Sequence, residues 1–121
     1  MSIRLNDGDA MELDCRYVLH IPLSKWENGE VVPIDVDDEI EELISHLEVR
    51  GFDGFYLTKV KSHYKSRIYD ELLVTIFAGD GEGPCEIFRD WFCAHNDLMC
   101  QEAFAVEINN RMIIKEITRN R

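Results

Sequence analysis

The chain has 121 residues, of which 45% are hydrophobic and 31% charged, and these proportions exclude intrinsic disorder as its overall state. Acidic residues number 24 against 13 lysines and arginines, and the formal net charge of -11 argues against nucleic acid or an anionic membrane as the main partner. No apolar stretch could span a bilayer, and the first residues lack the apolar segment of a secretory signal. We therefore expect a single cytoplasmic domain over residues 1–121.

Strict alternation marks the segment from Met11 to Leu23. Apolar side chains occupy every second position, and largely polar side chains occupy the positions between them. Successive side chains of a strand point to opposite faces, so this pattern predicts a half-buried β-strand. In the following segment, residues 24–33, the pair Asn28-Gly29 favours a type I′ turn and predicts a small hairpin.

A helix is predicted from Asp35 or Asp37 to about Val49. Its apolar residues recur at helical spacing and form one stripe. Acidic residues in its first turn suit the positive end of the helix dipole, and Gly51 suits its end.

Two strands are predicted next, the first over Phe55–Ser66. The segment Tyr69–Glu71 is expected to interrupt the chain before a nearly continuous apolar strand, Leu72–Ala78. In the first of these strands Tyr56 and Tyr64 share one face, and cationic side chains occupy the other. We expect the tyrosine face to pack on the helices.

The last elements are a second helix and a hairpin. Gly79–Pro84 is predicted to be a flexible connection, since it lacks the lysine of a phosphate-binding loop. The helix that follows is expected to end near His95. The segments Phe104–Ile108 and Met112–Ile117 are predicted to pair around an Asn109-Asn110 turn.

This order of elements resembles a ferredoxin-like α+β sandwich, βαββαβ, with a C-terminal β-hairpin extension. The resemblance is one of architecture and covers about residues 11–108. It implies an antiparallel sheet with two helices on one face and with the first and third strands at its centre. Fold alone does not define function, so the uncovered face of the sheet is the place to look for a site.

The uncovered face is expected to carry Val18, Leu73 and Phe77, which make it too apolar for full exposure to water. We therefore expect this face to be covered in a homo-oligomer. The leading interpretation of function is a small acidic binding or regulatory module that uses this face in an oligomer.

Three titratable residues on the same face, His20, His63 and Glu107, are the candidate catalytic residues. Histidine exchanges protons near neutral pH, and a neighbouring carboxylate can orient it. An alternative interpretation is therefore a small-molecule enzyme with these three residues as acid–base groups.

A cationic stripe forms the candidate ligand-binding set. Lys59, Lys61 and Lys65 occupy alternate positions of one strand, and Thr75 is expected near the middle of the sheet. Together they could bind a small anionic ligand. The competing interpretation is that the lysines neutralise nearby acids or guard a sheet edge against aggregation.

A metal site is not expected, because the four cysteines lack the closely spaced pairs typical of zinc ligands. A cofactor is not expected either, because the sequence has no nucleotide-binding motif. A third interpretation of function follows from the acidic surface of the helix Asp37–Glu48 and the turn Glu27–Glu30. On this interpretation the protein is an inhibitor or immunity-type protein that binds a basic partner.

Overall fold

The computed structural model describes residues 13–52, 54–79 and 83–117. Met11 and Glu12 of the predicted first strand and residues 80–82 of the glycine-rich loop lie outside these ranges. The described elements follow the order β1 (Cys15–Pro22), β2 (Ser24–Glu27), β3 (Glu30–Pro33), α1 (Asp37–Val49), β4 (Phe55–Tyr64), β5 (Arg67–Ala78), α2 (Pro84–Met99), β6 (Ala103–Ile108) and β7 (Arg111–Glu116). Neither of these two helices is long and apolar enough to cross a membrane.

Five strands form one antiparallel sheet in the order β4-β5-β1-β6-β7, while β2 and β3 form a separate hairpin. Without β2, β3 and β7 the chain runs β1, α1, β4, β5, α2, β6, with β1 and β5 at the centre of the sheet. This is the ferredoxin-like arrangement, and β7 is the expected C-terminal extension. The predicted fold class is confirmed.

The core lies between one face of the sheet and the two helices. Alternate residues of β1, including Leu19 and Ile21, point into it and are fully buried. Leu43 of α1 and Phe88 and Phe92 of α2 pack against them. Burying each such side chain contributes about 1.5–3 kcal/mol, so the apolar alternation of β1 and the helical stripes determine which sheet face is covered.

The hairpin of β4 and β5 is longer than predicted. Its turn is formed by Lys65 and Ser66, whose φ angles are 50° and 61°. From Arg67 the strand β5 continues without a break through the segment Tyr69–Glu71 to Ala78. The predicted interruption is wrong, because the turn uses two residues without the usual turn preference of glycine or asparagine.

The helix ends differ from prediction by about one turn at most. At the start of α1 the carboxylate of Asp35 accepts a hydrogen bond from the backbone N–H of Asp37 at 3.1 Å. At the other end, α2 continues past His95 to Met99, which is fully buried. Burial of Met99 favours the extra turn, and Cys100, with φ of 55°, ends the helix.

Candidate functional site

His20 lies near the middle of the sheet face that the helices leave uncovered, and Glu107 contacts it directly. The Nε2 atom of His20 is 2.7 Å from Oε2 of Glu107. Glu107 of β6 pairs with Val18 of β1, so its contact with His20 is the diagonal one that long side chains make across antiparallel strands. The structure thus brings together two of the three candidate catalytic residues.

Glu71 approaches His20 from the opposite side. Its Oε2 atom lies 4.0 Å from Nδ1 of His20, and its neighbour on β4, Ser62, helps to stabilise the ionised carboxylate. The four polar side chains lie on four adjacent strands, and we call them the polar row: Ser62, Glu71, His20 and Glu107. The three titratable side chains are only 13–25% exposed, so bulk water screens their interactions less than on an open surface.

The polar row holds charge near neutral pH. Burial lowers the pKa of His20, but the interactions with Glu71 and Glu107 outweigh burial and raise this pKa above 6.5 overall. The interaction with His20 lowers the pKa of Glu71 below 4.5, against the opposing effect of burial. Between these two pKa values an imidazolium lies beside the ionised carboxylate of Glu71, and His20 can release or take up a proton.

His63 does not join the polar row. It pairs with Ile68, whereas Glu71 pairs with Val60, so the side chains of His63 and Glu71 lie on opposite faces of the sheet. The same register places Lys59 on the helix side. The prediction that His63 shares a face with His20 is therefore wrong.

The candidate ligand-binding residues are also dispersed. Lys61 lies on the helix side, where it forms an exposed ion pair with Asp70 at 2.7 Å, and Lys65 lies in the hairpin turn. Thr75 does lie on the face of His20, but it is only 3% exposed and belongs to the floor of that face. The prediction that the lysines share the uncovered face is wrong for Lys59 and Lys61, because the tyrosine side of β4 faces away from the helices.

Glu71 was missed because its segment was interpreted as a break between strands. Continued backwards along β5, the alternation of Phe77, Thr75 and Leu73 reaches Glu71 at the next position on the same face. The sequence signal was therefore present, but it required the turn to be placed at Lys65 and Ser66.

Exposed apolar side chains surround the polar row. Tyr56, Phe77, Met112 and Ile114 lie on the uncovered face and are 51%, 42%, 52% and 69% exposed. Val18, expected to be exposed there, is only 1% exposed, since it lies in a central strand between two neighbouring strands. The face is thus apolar chiefly around its margin.

A second concavity lies on the helix side, between α1 and the edge strand β4. This α1–β4 groove has a volume of about 890 Å³. Its apolar lining residues are Leu23, Ile34, Ile40, Leu57, Val60 and Leu72, and its charged lining residues are Asp35, Asp37, Glu41, Lys59, Asp70 and Glu71. The strand register directs the side chains of Val60 and Glu71 to the opposite face, but Asp35, Asp37, Glu41 and Asp70 still outnumber Lys59, so the groove is anionic as well as apolar.

Metal ligation has no support in the described part of the chain. Cys15, Cys85, Cys93 and Cys100 are free, and burial raises the pKa of the Cys85 thiol. Within the described ranges no group of three or more histidine, cysteine, aspartate or glutamate side chains could hold a metal ion.

Comparison with known proteins gives one structural similarity. No protein-family model and no curated protein matches the sequence. Among solved structures the chain is similar to a phage SAM lyase in its apo state, with a TM-score of 0.56 and 15% sequence identity. The similarity covers 93% of this chain and 100% of the lyase chain. At this identity it shows a shared fold.

Proposed function

We propose that the protein is an oligomeric binding module that holds a small organic cation at the polar row. The observation that carries this proposal is the placement of His20, 2.7 Å from Glu107 and 4.0 Å from Glu71. With both carboxylates ionised, the three side chains carry one net negative charge when His20 is protonated and two when it is neutral. A cation with an apolar body suits such a centre on a partly apolar face.

Oligomerisation is part of this proposal. The apolar side chains around the polar row are large and exposed, with Ile114 at 69% and Met112 at 52%. Large exposed apolar side chains of this kind are favourable to bury against another surface. An oligomer that encloses the uncovered face would also shield the polar row from water and strengthen its attraction for a cation.

S-adenosylmethionine is the first ligand to test, because its sulfonium group is a cation and because the structurally similar phage protein is a SAM lyase. S-adenosylhomocysteine, which lacks the sulfonium charge, is the matched control ligand. By isothermal titration we expect S-adenosylmethionine to bind at least about tenfold more tightly, which corresponds to about 1.4 kcal/mol.

Variants of the polar row test where this ligand binds. Glu71→Gln and Glu107→Gln are each expected to weaken S-adenosylmethionine binding by about tenfold, because each removes a carboxylate next to the cation. Glu48→Gln, an exposed change on α1, should leave the affinity unchanged. Equal affinity for the two ligands, or no response to either change in the polar row, would contradict the proposal.

A second candidate function is cleavage of S-adenosylmethionine by a lyase reaction. It is favoured by an imidazole whose pKa is raised above 6.5 beside two carboxylates, since this group can transfer a proton during bond cleavage. Mass spectrometry should then show products whose masses together equal that of the substrate. His20→Asn should abolish their formation, and a rate no higher than in protein-free buffer would exclude this function.

A further inference from the structure

The two outer strands of the sheet formed by the described residues, β4 and β7, both present an open edge. At the centre of β7, Met112, Ile113 and Ile114 are 52%, 41% and 69% exposed. Unpaired backbone groups on such an edge are a template for another strand, and a long apolar edge favours association.

The edge of β4 borders the α1–β4 groove. A strand added to β4 would direct every second side chain towards the helix side, where this groove lies. There, those side chains would meet an apolar floor that includes Leu57 and Ile40 and the carboxylates of Asp37 and Glu41 on α1. A strand that alternates cationic and apolar residues on one face would complement this surface.

β7 has this pattern. Ile113 pairs with Val106, which is buried in the core, so Ile113 lies on the helix side of the sheet. Arg111 and Lys115, two positions away in either direction, lie on the same side. The helix side of β7 therefore carries a cation, an apolar residue and a second cation in sequence.

We propose that β7 of a second copy of this chain adds to the edge of β4, with its helix-side residues directed into the α1–β4 groove. Ile113 of the second copy contacts the apolar floor, and Arg111 and Lys115 lie beside the α1 carboxylates. Lys59 and Lys61 of β4 lie on the same side and oppose these cations. Lys61 is already paired with Asp70, and Asp35, Asp37 and Glu41 outnumber Lys59. This edge contact is distinct from the burial of the uncovered face proposed above, and it does not depend on the ligand.

The geometry of the sheet fixes the kind of assembly. Because β4 and β7 are separated by four antiparallel steps, they run in the same direction. A second copy that continues the sheet with its helices on the same side therefore pairs in parallel. The contact joins two different surfaces, so it generates a ring or an open chain of copies.

Charge reversal tests this contact. We expect the full chain to form oligomers in sedimentation velocity across a dilution series. The pair Arg111→Glu with Lys115→Glu, and separately Asp37→Lys with Glu41→Lys, should each raise the dissociation constant by at least about tenfold, because like charges then face each other. All four changes in one chain should restore association, since the ion pairs re-form with opposite sign.

The control is Asp38→Lys with Glu48→Lys, which makes the same charge change on exposed positions of α1 outside the groove. It should associate like the parent, and melting temperatures should show that every variant is folded. A parent chain that stays monomeric overturns both this inference and the proposed oligomerisation, and a basic strand of another protein then becomes the occupant to consider. If the parent forms oligomers and neither charge reversal changes the dissociation constant, the edge pairing alone is overturned.

Discussion

Replacing Phe88 by alanine is expected to lower the free energy of unfolding by about 3–5 kcal/mol, the usual cost of this change in a core. Phe88 is fully buried on α2, and its ring centroid lies 5.9 Å from that of Trp91, 5.6 Å from Phe92 and 5.8 Å from Phe104. Phe92 also contacts Trp91 and Phe104, so rigid rings line much of the cavity that the change would leave. Since a small domain has only about 5–15 kcal/mol in total, the variant would be close to unfolding.

Urea unfolding followed by tryptophan fluorescence measures this loss, with all samples at one protein concentration because association also stabilises the folded state. Leu98→Ala, on the same helix at 39% exposure, is the matched control and should cost about 1 kcal/mol or less. If Phe88→Ala costs no more than the control, the aromatic cluster is not the centre of the core.

The fold was predictable because the central strands have one buried and one uncovered face. In β1 the residues Leu19 and Ile21 point towards the helices and are fully buried, on the face that the alternation of the sequence indicates. The edge strand β4 lacks this constraint. Both of its faces are largely exposed, so alternation located the strand but could not indicate which side the helices cover.

The candidate site was predictable only in part, for the same reason. His20 and Glu107 lie on strands whose buried apolar residues indicate which side of the sheet the helices cover. The structure places the two side chains in contact. Lys59 and His63 lie on β4, and their expected side of the sheet was wrong. The position of Glu71 could be predicted only if the turn was placed at Lys65 and Ser66. Both residues have positive φ angles, which neither lysine nor serine favours.

The polar row also makes a strong prediction about the direction of a pKa shift. In the parent protein, Glu71 and Glu107 raise the pKa of His20 above 6.5 although burial lowers it. Replacing both carboxylates by glutamine leaves burial as the dominant influence, so the pKa of His20 should fall below 6.5. Titration of the histidine Cε1–H resonances by NMR measures this reversal, and Glu48→Gln should leave the pKa of His20 as in the parent.

The same interactions make the free energy of unfolding depend on pH, and the sign of this dependence differs between His20 and Glu71. Because the folded-state pKa of His20 is raised, the contribution of His20 to stability is present below pH 6.5 and is lost as pH rises through the folded-state pKa. Because the pKa of Glu71 is lowered, its contribution is present above 4.5 and is lost as pH falls through the folded pKa. The parent should therefore gain most stability over the double Glu71→Gln, Glu107→Gln variant between these pH values. Urea unfolding of both proteins across this range measures the difference, and a difference that does not change with pH would show that the imidazolium and the two carboxylates are not coupled in the folded protein.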